Sequence, residues 1–259
     1  NHHGSVISLV PKRNLEKELE DKTKYPVCEP DTTDEFDSDA LMLQWQWNAN
    51  YDDSWFDTKT DVYGNKAEAG SYIKLNAVPT TPLRPVGDYR NLLLQKWPAP
   101  EFTCVTKMSF NGLVDGDYAG IISLGVDYAA LGVAKKNGSY FLRTVNGKQN
   151  FDCEAVYTQE IVDEKPIEAD RFADDTKTVY LRYTVKRTGA TETKEMALSV
   201  KNVPVEEASL EISFDGKTYE NAVSYTAKAG RWVGVKNGMF VSHDNTVKNE
   251  ENGFATVDY

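Results

Sequence analysis

From Asp34 onward the chain is cut by Gly, Asn, Asp and Pro into short runs of β-type residues, and no helical period lasts more than a few turns. A chain patterned this way folds through strands. In Phe102-Thr103-Cys104-Val105-Thr106-Lys107-Met108-Ser109-Phe110 the apolar side chains at 102, 104, 108 and 110 fall on one strand face together with Thr106, so that face points to a core. Tyr128 to Val133 and Tyr140 to Val145 flank Lys135-Lys136-Asn137-Gly138, where Asn-Gly supplies the positive φ values of a tight hairpin turn. Val179 to Val185 and Met196 to Val200 read as a second pair reversing at Thr188-Gly189-Ala190, followed by Leu210 to Phe214 and a turn at Asp215-Gly216. About a dozen such strands must stack as two antiparallel sheets or close a barrel to bury their apolar faces. The predicted class is all-β, a two-sheet antiparallel β-sandwich of the jelly-roll type. No repeat of fixed period is present, which argues against a propeller or solenoid.

Composition narrows the partners. Lys plus Arg number 29 against 40 Asp plus Glu, a net charge of -11 that repels polyphosphate, so nucleic acid is not an expected partner. No stretch approaches the ~20 apolar residues of a membrane helix, and no membrane partner is expected. Neutral polysaccharide is indifferent to this charge, and 5 Trp, 14 Tyr and 10 Phe supply faces for sugar stacking or for a core. His2-His3-Gly4-Ser5 reads as a purification-tag remnant. The Lys-, Glu- and Pro-rich stretch after it, ending in Tyr25-Pro26-Val27-Cys28-Glu29-Pro30, reads as an extended linker. The expected division is therefore 1–31 tag remnant and linker, and 32–259 sandwich. No signal-peptide pattern opens the chain. Cys28, Cys104 and Cys153 cannot all pair; Cys104 and Cys153 read as buried thiols, with a disulfide left open.

Little in the chain reads as catalytic. His243, in Ser242-His243-Asp244-Asn245, reads as an exposed turn residue, and no nucleophile motif accompanies it. Asp52-Asp53, Asp115 with Asp117, and Asp174-Asp175 are acids close in sequence, but such acids usually favour turns rather than form the paired carboxylates of glycoside hydrolysis. No cofactor is expected. Loop Asp and Asn oxygens leave room for a structural calcium ion, although the spaced acidic pattern of a calcium-binding hand is missing. The most informative segment is Leu41 to Asn50: a period of two puts Leu41, Leu43, Trp45 and Trp47 on one face and Met42, Gln44, Gln46 and Asn48 on the other. The Trp pair then belongs to a core or to a sugar platform, and the amides opposite meet sugar hydroxyls or water.

Leu43-Gln44-Trp45-Gln46-Trp47-Asn48, preceded by Thr33-Asp34-Glu35-Phe36, resembles the opening of the C-terminal β-sandwich domain of glycoside hydrolase family 43 enzymes, the β-xylosidases and arabinofuranosidases. Tyr89-Arg90-Asn91-Leu92-Leu93-Leu94-Gln95, Gly116-Asp117-Tyr118-Ala119-Gly120, Ser213-Phe214-Asp215-Gly216-Lys217-Thr218-Tyr219, Gly230-Arg231-Trp232-Val233-Gly234 and Ala255-Thr256-Val257-Asp258-Tyr259 continue the resemblance in order. It implies a concanavalin A-like sandwich, classed in part as carbohydrate-binding module family 91. The implied role is a non-catalytic xylan- or arabinoxylan-binding accessory module of a family 43 enzyme. The alternative role is a structural domain that buttresses the propeller catalytic domain and completes its pocket without binding glycan alone. The chain by itself is not expected to be an enzyme. Its implied partners are xylan or xylo-oligosaccharide and an upstream family 43 catalytic domain, and its implied location is extracellular or periplasmic. The aromatic residues first expected at a sugar site are Trp45, Trp47, Trp55, Tyr118 and Trp232, with Trp97 a further candidate.

Overall fold

A computed structural model describes residues 32–68, 71–150, 156–196, 199–227, 234–249 and 251–259. Thr32–Tyr259 forms one compact unit. Among the described residues there are fifteen strands and three short 3₁₀ turns, arranged as two sheets. The first runs, in spatial order, β1 (Gln46–Trp47), β5 (Leu93–Lys96), β14 (Lys236–Asp244), β7 (Asp117–Leu124), β8 (Asp127–Lys136), β9 (Ser139–Gln149) and β10 (Tyr157–Ile167). A further strand, β4 (Val78–Thr80), lies parallel to β14. The second sheet runs β13 (Glu220–Ala227), β12 (Ser199–Ser213), β11 (Thr178–Met196), β6 (Phe102–Ser109), β15 (Phe254–Val257), β3 (Tyr72–Asn76) and β2 (Phe56–Thr60). The two-sheet antiparallel sandwich anticipated from the strand pattern is the fold observed.

Side-chain alternation explains how the layers hold together. Inward residues of the first sheet (Leu93, Ile121, Leu131, Met239, Val241) meet those of the second (Ile73, Met108, Leu181, Leu210, Val257) in one continuous core. The outward residues of the first sheet are also buried. Leu92, Leu94, Tyr118, Ile122, Tyr128 and Phe240 form a second cluster, closed over by Val86, Tyr89 and Tyr157. Every residue of β7 is therefore buried, which is why Ala119-Gly120-Ile121-Ile122 reads as a run without polar alternation. The segment Pro85 to Tyr89 is pinned over this outer face. The Val86 N–H donates to Gln159 Oε1 at 2.9 Å, the Tyr128 hydroxyl donates to the same oxygen at 2.8 Å, and Asn48 Nδ2 donates to the Tyr89 carbonyl at 2.9 Å.

The Asn137-Gly138 hairpin is present, with φ of 49° and 76° and Lys136 paired to Ser139, so the two central residues lie in the left-handed region that a type I′ turn requires. The face anticipated for 102–110 also holds, since Thr106, Met108 and Phe110 are buried. Two expectations fail. Thr188-Gly189-Ala190 is not the reversal between strands: β11 runs through it, Met196 faces Ser199, and Val179 to Val185 pairs instead with β6 and with the latter part of β12. Gly189, at φ 77°, serves a bulge between Arg187 and Thr191, and a bulge uses the left-handed conformation as readily as a turn does. The period of two over Leu41 to Asn48 is also not a strand. Only Gln46 and Trp47 pair, the Trp45 N–H donates to the Met42 carbonyl at 3.1 Å to close a turn, and Leu43 is fully exposed at 104%.

Candidate functional site

The aromatic residues expected to meet sugar divide by what already occupies them. Trp45 Nε1 donates to Asp34 Oδ2 at 2.7 Å, and the ring stacks on Phe36 with centroids 5.6 Å apart and planes at 27°. Asp34 itself is 7% exposed, and its Oδ1 accepts the Phe36 N–H at 2.9 Å. Trp47 is the hub of a knot in which the rings of Tyr51, Trp55 and Phe56 lie 6.5, 5.5 and 5.4 Å away. Both Trp45 and Trp47 are half-buried and pack on the main core, so their principal work is structural. Within the knot Tyr51 is 57% exposed, nearly parallel to Trp47 at 25°, and Trp55 is half-buried.

Tyr118 cannot be a sugar platform. It points to the outer cluster of the first sheet at 3% exposure, edge-on to Phe240 at 5.0 Å and beneath the Arg143 guanidinium at 4.9 Å. From Asp117 onward the Gly116-Asp117-Tyr118-Ala119-Gly120 segment lies on strand β7, whose outer face is covered, and sequence alone does not reveal a covered face. Burial pushes the Tyr118 phenol far above its ordinary value. Trp232, Cys28 and Cys153 lie outside the described residues. Trp97 is half-buried and edge-on to Phe102 at 5.6 Å, and its indole N–H is buried without a hydrogen-bond partner.

His243 is not an exposed turn residue. It sits on β14 with its side chain 15% exposed, Nδ1 lies 2.7 Å from Asp117 Oδ1, and Nε2 lies 3.0 Å from the Val247 carbonyl oxygen. Asp117 is fully enclosed, and its Oδ2 accepts the Val114 N–H at 2.9 Å. Burial raises the Asp117 carboxyl above its ordinary value, against the lowering effect of the Val114 N–H and of His243. The sequence marks Ser-His-Asp-Asn as polar, but pairing of β14 with β7, which sets His243 opposite Asp117, is what buries it. No Ser, Thr or Cys is hydrogen-bonded to the imidazole among the described residues, so the pair lacks the nucleophile of a hydrolytic triad.

A cleft of about 280 Å³ opens between the two sheets beside Trp45. Gln95, Asn237 and Met239 face it from the first sheet, Phe102, Cys104 and Tyr183 from the second, and Thr33, Asp34 and Tyr259 complete its rim. Burial raises the Cys104 thiol, which keeps it protonated and unreactive, and Cys104 is unpaired. Burial also raises the Tyr183 phenol, whose hydroxyl donates to the carbonyls of Ile122 and Gly238. Asn237 is 6% exposed, and its Oδ1 has no hydrogen-bond partner. No group of three or more His, Cys, Asp or Glu side chains placed to hold a metal ion occurs among the described residues.

Comparison with known proteins places this architecture. Residues 33–259 match the model of the β-xylosidase C-terminal concanavalin A-like domain. A putative β-xylosidase of Xylanibacter ruminicola is 32% identical over 98 residues, 38% of this chain, and the chain spans only 16% of that relative. Among solved structures, a family 43 glycoside hydrolase engineered to display endo-xylanase and exo-arabinofuranosidase activity superposes with a TM-score of 0.65 at 20% identity, over 90% of this chain and 40% of its own. A bifunctional GH43-CE protein of Bacteroides eggerthii gives 0.62 at 21% over 87% and 24%. A xylan β-1,4-xylosidase of Bacillus halodurans gives 0.57 at 16% over 87% and 37%. These last likenesses speak for the fold. The matched family is the accessory C-terminal domain and not the catalytic propeller. The chain belongs to the family of β-xylosidase C-terminal concanavalin A-like domains.

Proposed function

We propose that this domain braces the catalytic domain of a family 43 enzyme acting on xylan-type polysaccharide, rather than gripping the polymer on an aromatic platform. The observation that carries this reading is the way the tryptophans are used. Trp45 is tied to Asp34 and stacked on Phe36, and Trp47 packs edge-on or tilted against Trp55 and Phe56 and nearly parallel to Tyr51, so each indole is already engaged by the protein. Beside them Leu43 is left 104% exposed on the turn that Trp45 anchors, and Tyr51 is 57% exposed on the knot. Apolar groups held in the open by a rigid scaffold fit a protein partner.

The reading is tested by mixing the chain with the propeller domain of a family 43 β-xylosidase and following association by analytical ultracentrifugation. Association that Leu43→Asp weakens at least tenfold supports bracing. A second reading, a weak glycan contact, is favoured by the exposure of Tyr51 next to Trp55. Electrophoresis in gels containing soluble xylan separates the two, since retardation that Tyr51→Ala or Trp55→Ala abolishes would overturn bracing as the sole role. Work on polymeric xylan would also set the domain outside the cytoplasm, extracellular or periplasmic, and a bound structural calcium ion would show as a melting temperature lowered by chelator.

A further inference from the structure

We infer that Asn252 is a site of spontaneous covalent modification, at which the Asn252-Gly253 pair closes to a succinimide and opens to aspartyl and isoaspartyl products. This goes beyond the bracing role and does not depend on it. The chain holds five Asn-Gly pairs, beginning at Asn111, Asn137, Asn146, Asn237 and Asn252. Each joins a short amide side chain to a residue with no side chain to block ring closure. In the reaction the Gly N–H gives its proton to a solvent base, the nitrogen bonds to the Asn Cγ, and the Cγ–Nδ2 bond breaks with release of ammonia. Water then adds to one of the two ring carbonyls. Opening at Cγ gives aspartate, and opening at the backbone carbonyl gives isoaspartate, in which the chain runs through the side-chain carbon. The net change is Asn plus water to an acid plus ammonia, and no other reactant is needed.

Local sequence treats the five pairs alike, and the fold separates them. Ring closure needs a backbone free to rotate, a side chain free to swing and a Gly N–H not engaged elsewhere. Asn146-Gly147 and Asn237-Gly238 lie in β9 and β14, each paired on both sides, with Gly147 against the Tyr128 ring and the Gly238 N–H directed at the Tyr183 hydroxyl at 3.4 Å. Central strands of this kind free their amides only on large-scale opening. Asn137-Gly138 is exposed, but the Gly138 N–H donates to Asp115 Oδ1 at 2.8 Å, and a carboxylate there disfavours loss of its proton. Asn111 is half-buried, its N–H donates to the Thr176 carbonyl at 3.1 Å, and a methyl on Gly112 would lie 2.4 Å from the Phe254 ring. Asn252 has none of these restraints. It is exposed and outside any strand, and among the described residues neither its side chain nor the Gly253 N–H makes a hydrogen bond. Gly253 is buried, and its carbonyl accepts the Ala77 N–H at 2.8 Å, so the attacking nitrogen is held while the exposed amide swings onto it. The acid formed also meets a cation, since Asn252 lines a cleft of about 340 Å³ with Lys74, which is only loosely paired with Asp57 at 3.9 Å. The change has a structural consequence. A methyl on Gly253 would lie 1.6 Å from Asp117 Oδ2, so an isoaspartyl link, which lengthens the chain just before Gly253, presses on the carboxylate that holds His243.

The test is ageing of the folded chain in H₂¹⁸O at mildly alkaline pH beside a urea-unfolded sample, followed by digestion at mildly acidic pH and mass spectrometry. Incorporated ¹⁸O marks each converted Asn, and electron-transfer fragmentation tells isoaspartate from aspartate. In urea the five pairs should convert at comparable rates. In the folded chain Asn252 should convert at least tenfold faster than each of the other four and yield isoaspartate, and the aged protein should melt at a lower temperature than the fresh one. Asn252→Gln, at an exposed position, should abolish both the conversion there and the fall in melting temperature. Conversion of any other pair as fast as Asn252, or no conversion of Asn252 in the folded chain under conditions that convert it in urea, would overturn the assignment. A melting temperature that stays unchanged after conversion would overturn the strain at Asp117. None of these outcomes bears on association with a propeller, so the two proposals fail separately.

Discussion

Asp34 shows how much one buried carboxylate organises at the residue scale. By accepting the Phe36 N–H and the Trp45 indole N–H it fixes a backbone turn and an aromatic wall at once. Trp45→Phe keeps the ring but removes a donor to a charged group, so a loss of about 1.5–3 kcal/mol is expected in a urea melt. Asp117 poses the opposite problem, since burial raises its carboxyl and the Val114 N–H and His243 act against that. The sign follows directly. A folded-state value above the unfolded one contributes stability that is present at low pH and is lost as pH rises through the folded value. His243→Ala removes a group that lowers the value, so it should destabilise by about 2–3 kcal/mol at pH 7 and by clearly less at pH 4, read as the urea midpoint at the two pH values. An equal loss at both would show that the imidazole serves only to fill space.

At the scale of elements, the central strands of the first sheet are buried on both faces and leave little room for side-chain error. Gly147 on β9 faces Tyr128 on β8, and a methyl at Gly147 would lie 1.9 Å from the tyrosine ring. Tyr128 is 1% exposed and cannot swing out. Gly147→Ala should therefore cost about 3 kcal/mol by overpacking, measured by thermal or urea unfolding, whereas Gly138→Asn in the open Asn137-Gly138 turn should cost about 1 kcal/mol or less, since Asn tolerates the left-handed conformation. The outer edge strand β10 carries its own protection. A bulge between Ile161 and Asp163, the charged residues Glu160, Glu164 and Lys165, and Pro166 all discourage pairing with another chain.

For the whole molecule, net charge and cross-strand ion pairs decide the response to acid. Burial pushes Glu164 up, but the hydrogen bonds from Lys136 and Arg143 outweigh it and hold the carboxyl below its ordinary 4.5. The fork from Arg182 likewise lowers Glu211. Groups with lowered values contribute stability above the unfolded value and lose it as pH falls through the folded one. Stability should hold from neutral pH down to roughly the carboxylate range and decline below about pH 4.5. Each partly exposed pair should supply no more than about 1 kcal/mol. Calorimetric melting from pH 7 to pH 3 checks this, and a Tm that rises steadily through that window would contradict it.

Sequence by itself determined the fold class, the Asn137-Gly138 hairpin and the core face of β6, because each depends on alternation or on a local backbone preference carried by adjacent residues. The ordered motifs from Thr33 to Tyr259 also identified the family. Tertiary structure decided which aromatic rings were free. Tyr118 and Trp45 differ little as letters in a strand-like run, but one faces a second, covered layer and the other is caught by a carboxylate eleven positions earlier. The same holds for His243, which looked solvated until β14 paired with β7 and set it against Asp117, and for Asn237, whose place in the cleft depends on β14 and β6, distant in sequence, closing from opposite sheets. Periodicity reports which side of a strand a residue occupies; what lies against that side is set only when distant segments meet.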